Sequence, residues 1–185
     1  MTANDLRVGN TLVFDGKVHQ VTEIAHIKPG KGGAFSRAKL KCLETGTIID
    51  NTFRANEKVE QAIVDRKKLE YLYRSGSEFV FMDQVTYDQI SLAEDRVKDI
   101  IGFLGENMEV NVTMFNDEIL ELSLPDFVEL EVTETEPGVR GDTATGGSKP
   151  ATVAPGGVVK VPLFINIGDR IKIDTRTGIY LERVS

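Results

Sequence analysis

One cysteine, Cys42, two histidines, His19 and His26, and no tryptophan are all that this 185-residue chain holds of the residue types that most often build redox, metal and base-stacking sites. A lone thiol makes neither an intrachain disulfide nor a multi-cysteine zinc site, which fits a cytoplasmic protein. Cys42 falls on an alternating apolar run and reads as a core residue rather than a nucleophile. Two imidazoles do not assemble a His-rich centre, so no metal and no other cofactor is expected. Long apolar runs are missing as well, with no window near the roughly 18 residues of a membrane span. The first residues, MTANDLRVGN, lack the basic and apolar regions of a secretion signal, so no membrane partner is expected.

Acidic residues outnumber basic ones, 29 to 22, for a net charge of -7. Phosphate binding depends on Lys and Arg, so this balance argues at first against a nucleic-acid partner. The charge is segregated, however. Residues 1–64 hold nine basic and seven acidic side chains, residues 65–127 hold six and fourteen, and residues 128–185 hold seven and eight. Between Glu23 and Glu44 there is no carboxylate at all, while Lys28, Lys31, Arg37, Lys39 and Lys41 fall in that window. A solvated strand face is the plain reading of such a run, but here one cation sits amid glycines. The acidic middle reads as a solvated surface or one that meets a basic protein.

Short stretches with period-two alternation dominate the chain: 17–24, 35–43, 47–54, 78–82, 108–114, 118–122 and 127–132. Asp15-Gly16, Thr45-Gly46, Ser75-Gly76, Asn116-Asp117 and Thr177-Gly178 supply turn signals of the hairpin kind. The one helical pattern covers 91–104, where Leu92, Val97, Ile100, Ile101 and Leu104 share a side and Gly105 offers a stop. Many short strands favour closed sheets, which hide their edges. The expected fold is therefore all-β, with three small β-barrels over 1–64, 65–127 and 128–185, each of roughly sixty residues. Residues 137–157 carry no hydrophobic periodicity and read as a long loop.

Chemistry concentrates at His26–Lys41. Pro29-Gly30 and Gly32-Gly33 bracket Lys31 between two strand-like runs, which predicts a hairpin tip. Glycine allows close backbone approach and proline holds Lys28 extended, so the ammonium of Lys31 projects with little bulk around it. Lys28, Arg37, Lys39 and Lys41 are placed to hold an RNA backbone further down the hairpin. A Walker A loop is excluded, since Lys31 is followed by glycine and a strand rather than by Ser or Thr opening a helix. No Ser/His/Asp, Cys/His or paired-carboxylate arrangement appears, and a nucleophilic lysine needs a desolvated setting that a glycine-flanked tip does not give. No catalytic residue is assigned.

Three stretches carry a resemblance to the bacterial translation elongation factor P family over nearly the full length. They are Lys28-Pro29-Gly30-Lys31-Gly32 with Ala34-Phe35, then Asn51-Thr52-Phe53-Arg54, and then KPATVAPGGVVKVPLFINIG over 149–168, preceded by PGVRGDTATGG. The resemblance implies an L-shaped monomer with an SH3-like (KOW-type) first domain and two OB-type domains. It implies a non-enzymatic factor that binds the 70S ribosome between the P and E sites and relieves stalling at consecutive prolines. Its partners would be the P-site peptidyl-tRNA and ribosomal RNA, with the loop Lys28, Pro29, Gly30, Lys31, Gly32 and Gly33 at the tRNA acceptor end.

Lys31 corresponds to the position that family members extend, through a lysine-modifying enzyme, with β-lysine, sometimes with hydroxylation, or with an aminopentanol group; the residues leave that choice open. Lysine excludes rhamnosylation, and the third domain argues against hypusine. Gly141, Asp142 and Thr143 match an element that approaches the E-site codon, and Tyr180 and Arg183 resemble positions that contact the small subunit. A paralogous elongation-factor-P-like protein, or an OB/SH3-type RNA-binding module acting off the ribosome, are the alternatives; the second calls for exposed aromatic platforms.

Overall fold

The computed structural model describes residues 1–138 and 147–184. The fold is all-β: three five-stranded sheets, with helix among the described residues confined to one short α-helix and two 3-10 turns.

The first sheet holds β1 (Thr11–Phe14), β2 (Lys17–Ile27), β3 (Phe35–Cys42), β4 (Ile48–Arg54) and β5 (Glu60–Gln61) in the order β4-β3-β2-β1-β5. Asp15 and Gly16 join β1 to β2 with φ of 52° and 76°. Two successive positive φ values define the turn whose twist suits a two-residue hairpin, and Asp and Gly tolerate them best. Along β3 the alternation is strict: Ser36, Ala38, Leu40 and Cys42 are buried, while Arg37, Lys39 and Lys41 face out. Leu6, Leu12, Val21, Leu40 and Phe53 form the core, each worth roughly 1.5–3 kcal/mol of apolar burial.

The second sheet holds β6 (Asp65–Ser75), β7 (Glu78–Asp83), β8 (Gln89–Ala93), β9 (Glu109–Phe115) and β10 (Glu118–Ser123), ordered β10-β9-β6-β7-β8. Asn116 and Asp117 repeat the double positive-φ turn, at 50° and 62°. The helix expected over 91–104 shrinks to α1 (Glu94–Val97) followed by a 3-10 turn at Ile101–Phe103. Ser91 and Leu92 instead pair with Val80 and Phe79 as part of β8. Ladder hydrogen bonds on β7 outcompete a helix whose N-cap, Ala93, supplies no capping side chain. Val97, Ile100 and Leu104 are buried all the same, so the apolar spacing reported burial rather than helix.

The third sheet holds β11 (Phe127–Thr135), β12 (Ser148–Val153), β13 (Val158–Pro162), β14 (Arg170–Asp174) and β15 (Ile179–Val184), ordered β13-β12-β11-β14-β15. β12 runs through part of the stretch expected to be a loop. Its inward residues, Lys149, Ala151 and Val153, alternate correctly, but lysine and alanine hide the hydrophobic period. Lys149 is buried and its ammonium donates to the Glu136 carbonyl, which ties the start of β12 to the end of β11.

The chain divides into two compact units, Met1–Arg66 with Thr113–Glu121, and Lys67–Val112 with Leu122–Ser185. In the first, Phe115 and Leu120 pack with Val18, Leu43 and Ala62, which explains why the β9–β10 hairpin end belongs there. In the second, Phe103 and Met108 pack against the third sheet's core, and the Gly157 amide donates to the Gly102 carbonyl at 2.9 Å.

Candidate nucleic-acid interface

The β2–β3 hairpin is the longest in the first sheet, and its last register pair is Ile27↔Phe35. Residues 28–34 close it, with Lys31 at their centre. Lys31 lies four residue steps from each member of that pair, a reach of at most roughly 13 Å. Lys28, Pro29, Gly30, Lys31, Gly32 and Gly33 are all exposed. A side chain built at Gly30 or Gly33 would touch nothing within 4 Å, and Gly32 has φ of +104°. Glycine is required at Gly32 for its backbone, and at Gly30 and Gly33 it keeps the tip narrow. Among the described residues, neither Lys28 nor Lys31 has a hydrogen-bond or ion-pair partner.

Below the free tip the root is fixed. The Ala55 amide donates to the Ala34 carbonyl at 3.1 Å. On the inner face, Nε2 of His26 lies 3.2 Å from the Leu6 carbonyl and Nδ1 lies 2.8 Å from Oγ of buried Ser36. The Arg7 guanidinium lies 3.3 Å from the same Nε2, so the ring is held between Leu6, Arg7 and Ser36. A narrow, exposed probe thus stands on a hydrogen-bonded base.

The outer face changes character with distance from the tip. Cross-strand register makes four rows: Ile27–Phe35–Arg54, then Ala25–Arg37–Thr52, then Glu23–Lys39–Asp50, then Gln20–Lys41–Ile48. Carboxylates enter only at the third row. Lys39 reaches Glu23 at 3.1 Å, and this bond, with Asp50 nearby, holds its ammonium pKa above the usual lysine range. Lys41 reaches Glu121 at 3.3 Å. The cations expected along the hairpin therefore divide into free groups near the tip, Lys28, Lys31 and Arg37, and neutralised ones, Lys39 and Lys41. Arg54 joins the free group, since its guanidinium has no partner among the described residues. Sequence reasoning missed Arg54 because it lies seventeen residues from Arg37 in the chain and meets it only through the β3–β4 register.

In the second unit, Tyr180 packs against the core of the third sheet and pairs with Ile173 across β14. Arg183 lies over the Phe164 ring at 5.5 Å and 3.9 Å from Asp169. The tyrosine is half-buried and the arginine exposed, so the pair is held by packing and still reachable. Gly141, Asp142 and Thr143 lie outside the described residues. No cluster of His, Cys, Asp and Glu among the described residues is arranged to hold a metal ion, and no helix among them is long and apolar enough to cross a membrane.

Three small sheets, the first carrying an exposed cation on a narrow hairpin, define a modular β protein. Family models agree in place and order: the elongation factor P KOW-like domain matches residues 2–59, the elongation factor P OB domain matches 64–122, and the elongation factor P C-terminal model matches 128–183. A protein named elongation factor P from Thermoanaerobacter sp. (strain X514) is 55% identical over 184 residues, all of both chains. Another of that name from Picosynechococcus sp. is 52% identical over 183 residues, 99% of each. Among solved structures, the translation initiation factor 5A from Methanococcus jannaschii aligns with a TM-score of 0.52 at 26% identity, covering 66% of this chain and 94% of that one. The chain belongs to the elongation factor P family and is a translation elongation factor.

Proposed function

We propose that the protein binds the 70S ribosome between the P and E sites, beside the peptidyl-tRNA, and promotes peptide-bond formation at consecutive prolines. The observation that carries this reading is Lys31: an exposed, unpaired cation at the centre of a narrow loop on a fixed root. Proline is a constrained donor and a poor nucleophile, so the barrier at such codons is one of alignment. A probe that steadies the tRNA acceptor end lowers it by removing orientational freedom, with no bond made or broken by the protein. The cation adds attraction to the phosphate-rich surroundings, where net charge elsewhere would repel.

Lys31 is the substrate of a lysine-modifying enzyme in this reading, and its exposed ammonium suits an extension of the β-lysyl, hydroxylated or aminopentanol type. Gly141, Asp142 and Thr143 approach the E-site codon, Tyr180 and Arg183 face the small subunit, and the factor works as a cytoplasmic monomer. Relatives named elongation factor P at 52–55% identity over the whole chain support this reading over a paralogue. The test is sedimentation with 70S ribosomes together with ribosome occupancy at Pro-Pro-Pro codons. Co-sedimentation, and occupancy that rises on depletion, support it. No ribosome binding, or unchanged occupancy, refutes it.

A further inference from the structure

Arg37 and Arg54 are diagonal neighbours on the outer face, since Arg37 opposes Thr52 and Arg54 lies two residues further along β4. Diagonal positions of this kind place Cβ atoms roughly 7–8 Å apart, close enough for two long side chains to converge on one group. Both are exposed, neither guanidinium has an ion pair among the described residues, the Glu57 carboxylate being engaged by the Arg54 backbone amide at 3.0 Å, and the residues directly opposite them, Ala25, Thr52 and Phe35, carry no charge. One row below, Glu23 and Asp50 flank Lys39 and would repel an anion. The planar guanidinium presents paired donors that match phosphate oxygens two at a time.

We propose that Arg37 and Arg54 form a clamp for one backbone phosphate of RNA, set two rows behind Lys31, and that Lys39 and Lys41 take no part in RNA binding. The clamp rests on the ribosomal reading above and gives it a second anchor: the phosphate fixes how far the hairpin enters, while Lys31 reaches ahead. A phosphate held at the edge of the acidic third row cannot slide further down the hairpin, so the two rows act as a depth stop.

The experiment measures binding of the full chain to 70S ribosomes with P-site peptidyl-tRNA across a monovalent salt series. Variants are Arg37→Gln, Arg54→Gln, the double variant, and Lys39→Gln with Lys41→Gln, each checked for an unchanged thermal transition. Losing one phosphate contact lowers the log–log salt slope by about one. Each single arginine variant is expected to weaken binding about tenfold at low salt and to lower that slope by about one. The double variant should lose little more than either single one, because both arginines serve one phosphate. The lysine variants should stay within about twofold. Normal affinity and slope for Arg54→Gln, with the wild-type chain binding ribosomes, overturns the clamp and leaves the ribosomal reading standing. Losses that add in the double variant, or lysine variants as weak as the arginine ones, overturn it too. If the wild-type chain does not bind ribosomes, both readings fall.

Discussion

Replacing Gly157 by alanine perturbs a place in the second unit where two backbones touch. A Cβ built there lies 2.5 Å from the Gly102 carbonyl oxygen, 2.9 Å from its carbon and 2.8 Å from Cε1 of Phe103. Two of those atoms are backbone and cannot swing aside, while the φ of Gly157 lies outside the positive region, so the alanine backbone itself is unstrained. Overpacking of this kind costs about 1–3 kcal/mol. Separating the segments also weakens the Gly157 to Gly102 hydrogen bond, worth about 0.5–1.5 kcal/mol, and alanine returns roughly 0.4–1 kcal/mol by restricting the unfolded chain. The net loss expected is about 2 kcal/mol, which for a unit of this size lowers Tm by on the order of 10 °C. Differential scanning calorimetry and urea unfolding measure it. Gly156→Ala is the contrast: φ is +109° and nothing lies within 4 Å, so only backbone strain of about 1–2 kcal/mol is expected. If Gly157→Ala unfolds within about 0.5 kcal/mol of the wild type, the close approach does not have the steric role argued for it.

Phe81 is fully buried and lies 5.4 Å from the Tyr71 ring, so Phe81→Ala should cost about 3–5 kcal/mol in urea unfolding, and a loss under about 1 kcal/mol would contradict the packing described. Asp83 accepts from the Val85 and Thr86 amides at 2.8 and 3.2 Å, and these bonds, aided by Lys67, hold its carboxyl below the usual range. A lowered folded-state pKa gives stability that is present above the ordinary carboxylate range and disappears as pH falls through the folded value. The stability gap between wild type and Asp83→Asn should therefore narrow below about pH 4, and a gap constant from neutral pH to about pH 2 would refute the assignment. Intact and tryptic mass spectrometry of protein from its native host should find an adduct on Lys31; a bare lysine counts against its role as a modification site.

Much of this fold was legible in the residues because hairpins announce themselves locally. Asp15-Gly16 and Asn116-Asp117 mark turns whose positive φ values few other pairs accept, and the alternation of Arg37, Lys39 and Lys41 with buried neighbours reads directly as a two-faced strand. What failed locally was decided by tertiary pairing. Leu92 fits a helical stripe but pairs on β7, and Lys149 hides a strand because a buried lysine breaks the apolar period. The tip at Lys31 was equally visible, since glycines and proline around one cation define it without any distant partner. The division of the flanking cations was not: Glu121 neutralises Lys41 across eighty residues, and Arg54 joins Arg37 only through strand register.

The most direct test of the account is peptide-bond formation on a template encoding three consecutive prolines, in reconstituted translation, with native-host protein, a Lys31→Ala variant and no factor compared. The account predicts that the native protein relieves the pause, while Lys31→Ala still binds ribosomes but leaves the pause nearly as long as with no factor. A variant that relieves the pause as well as the native protein, or a native protein that relieves nothing, would contradict it.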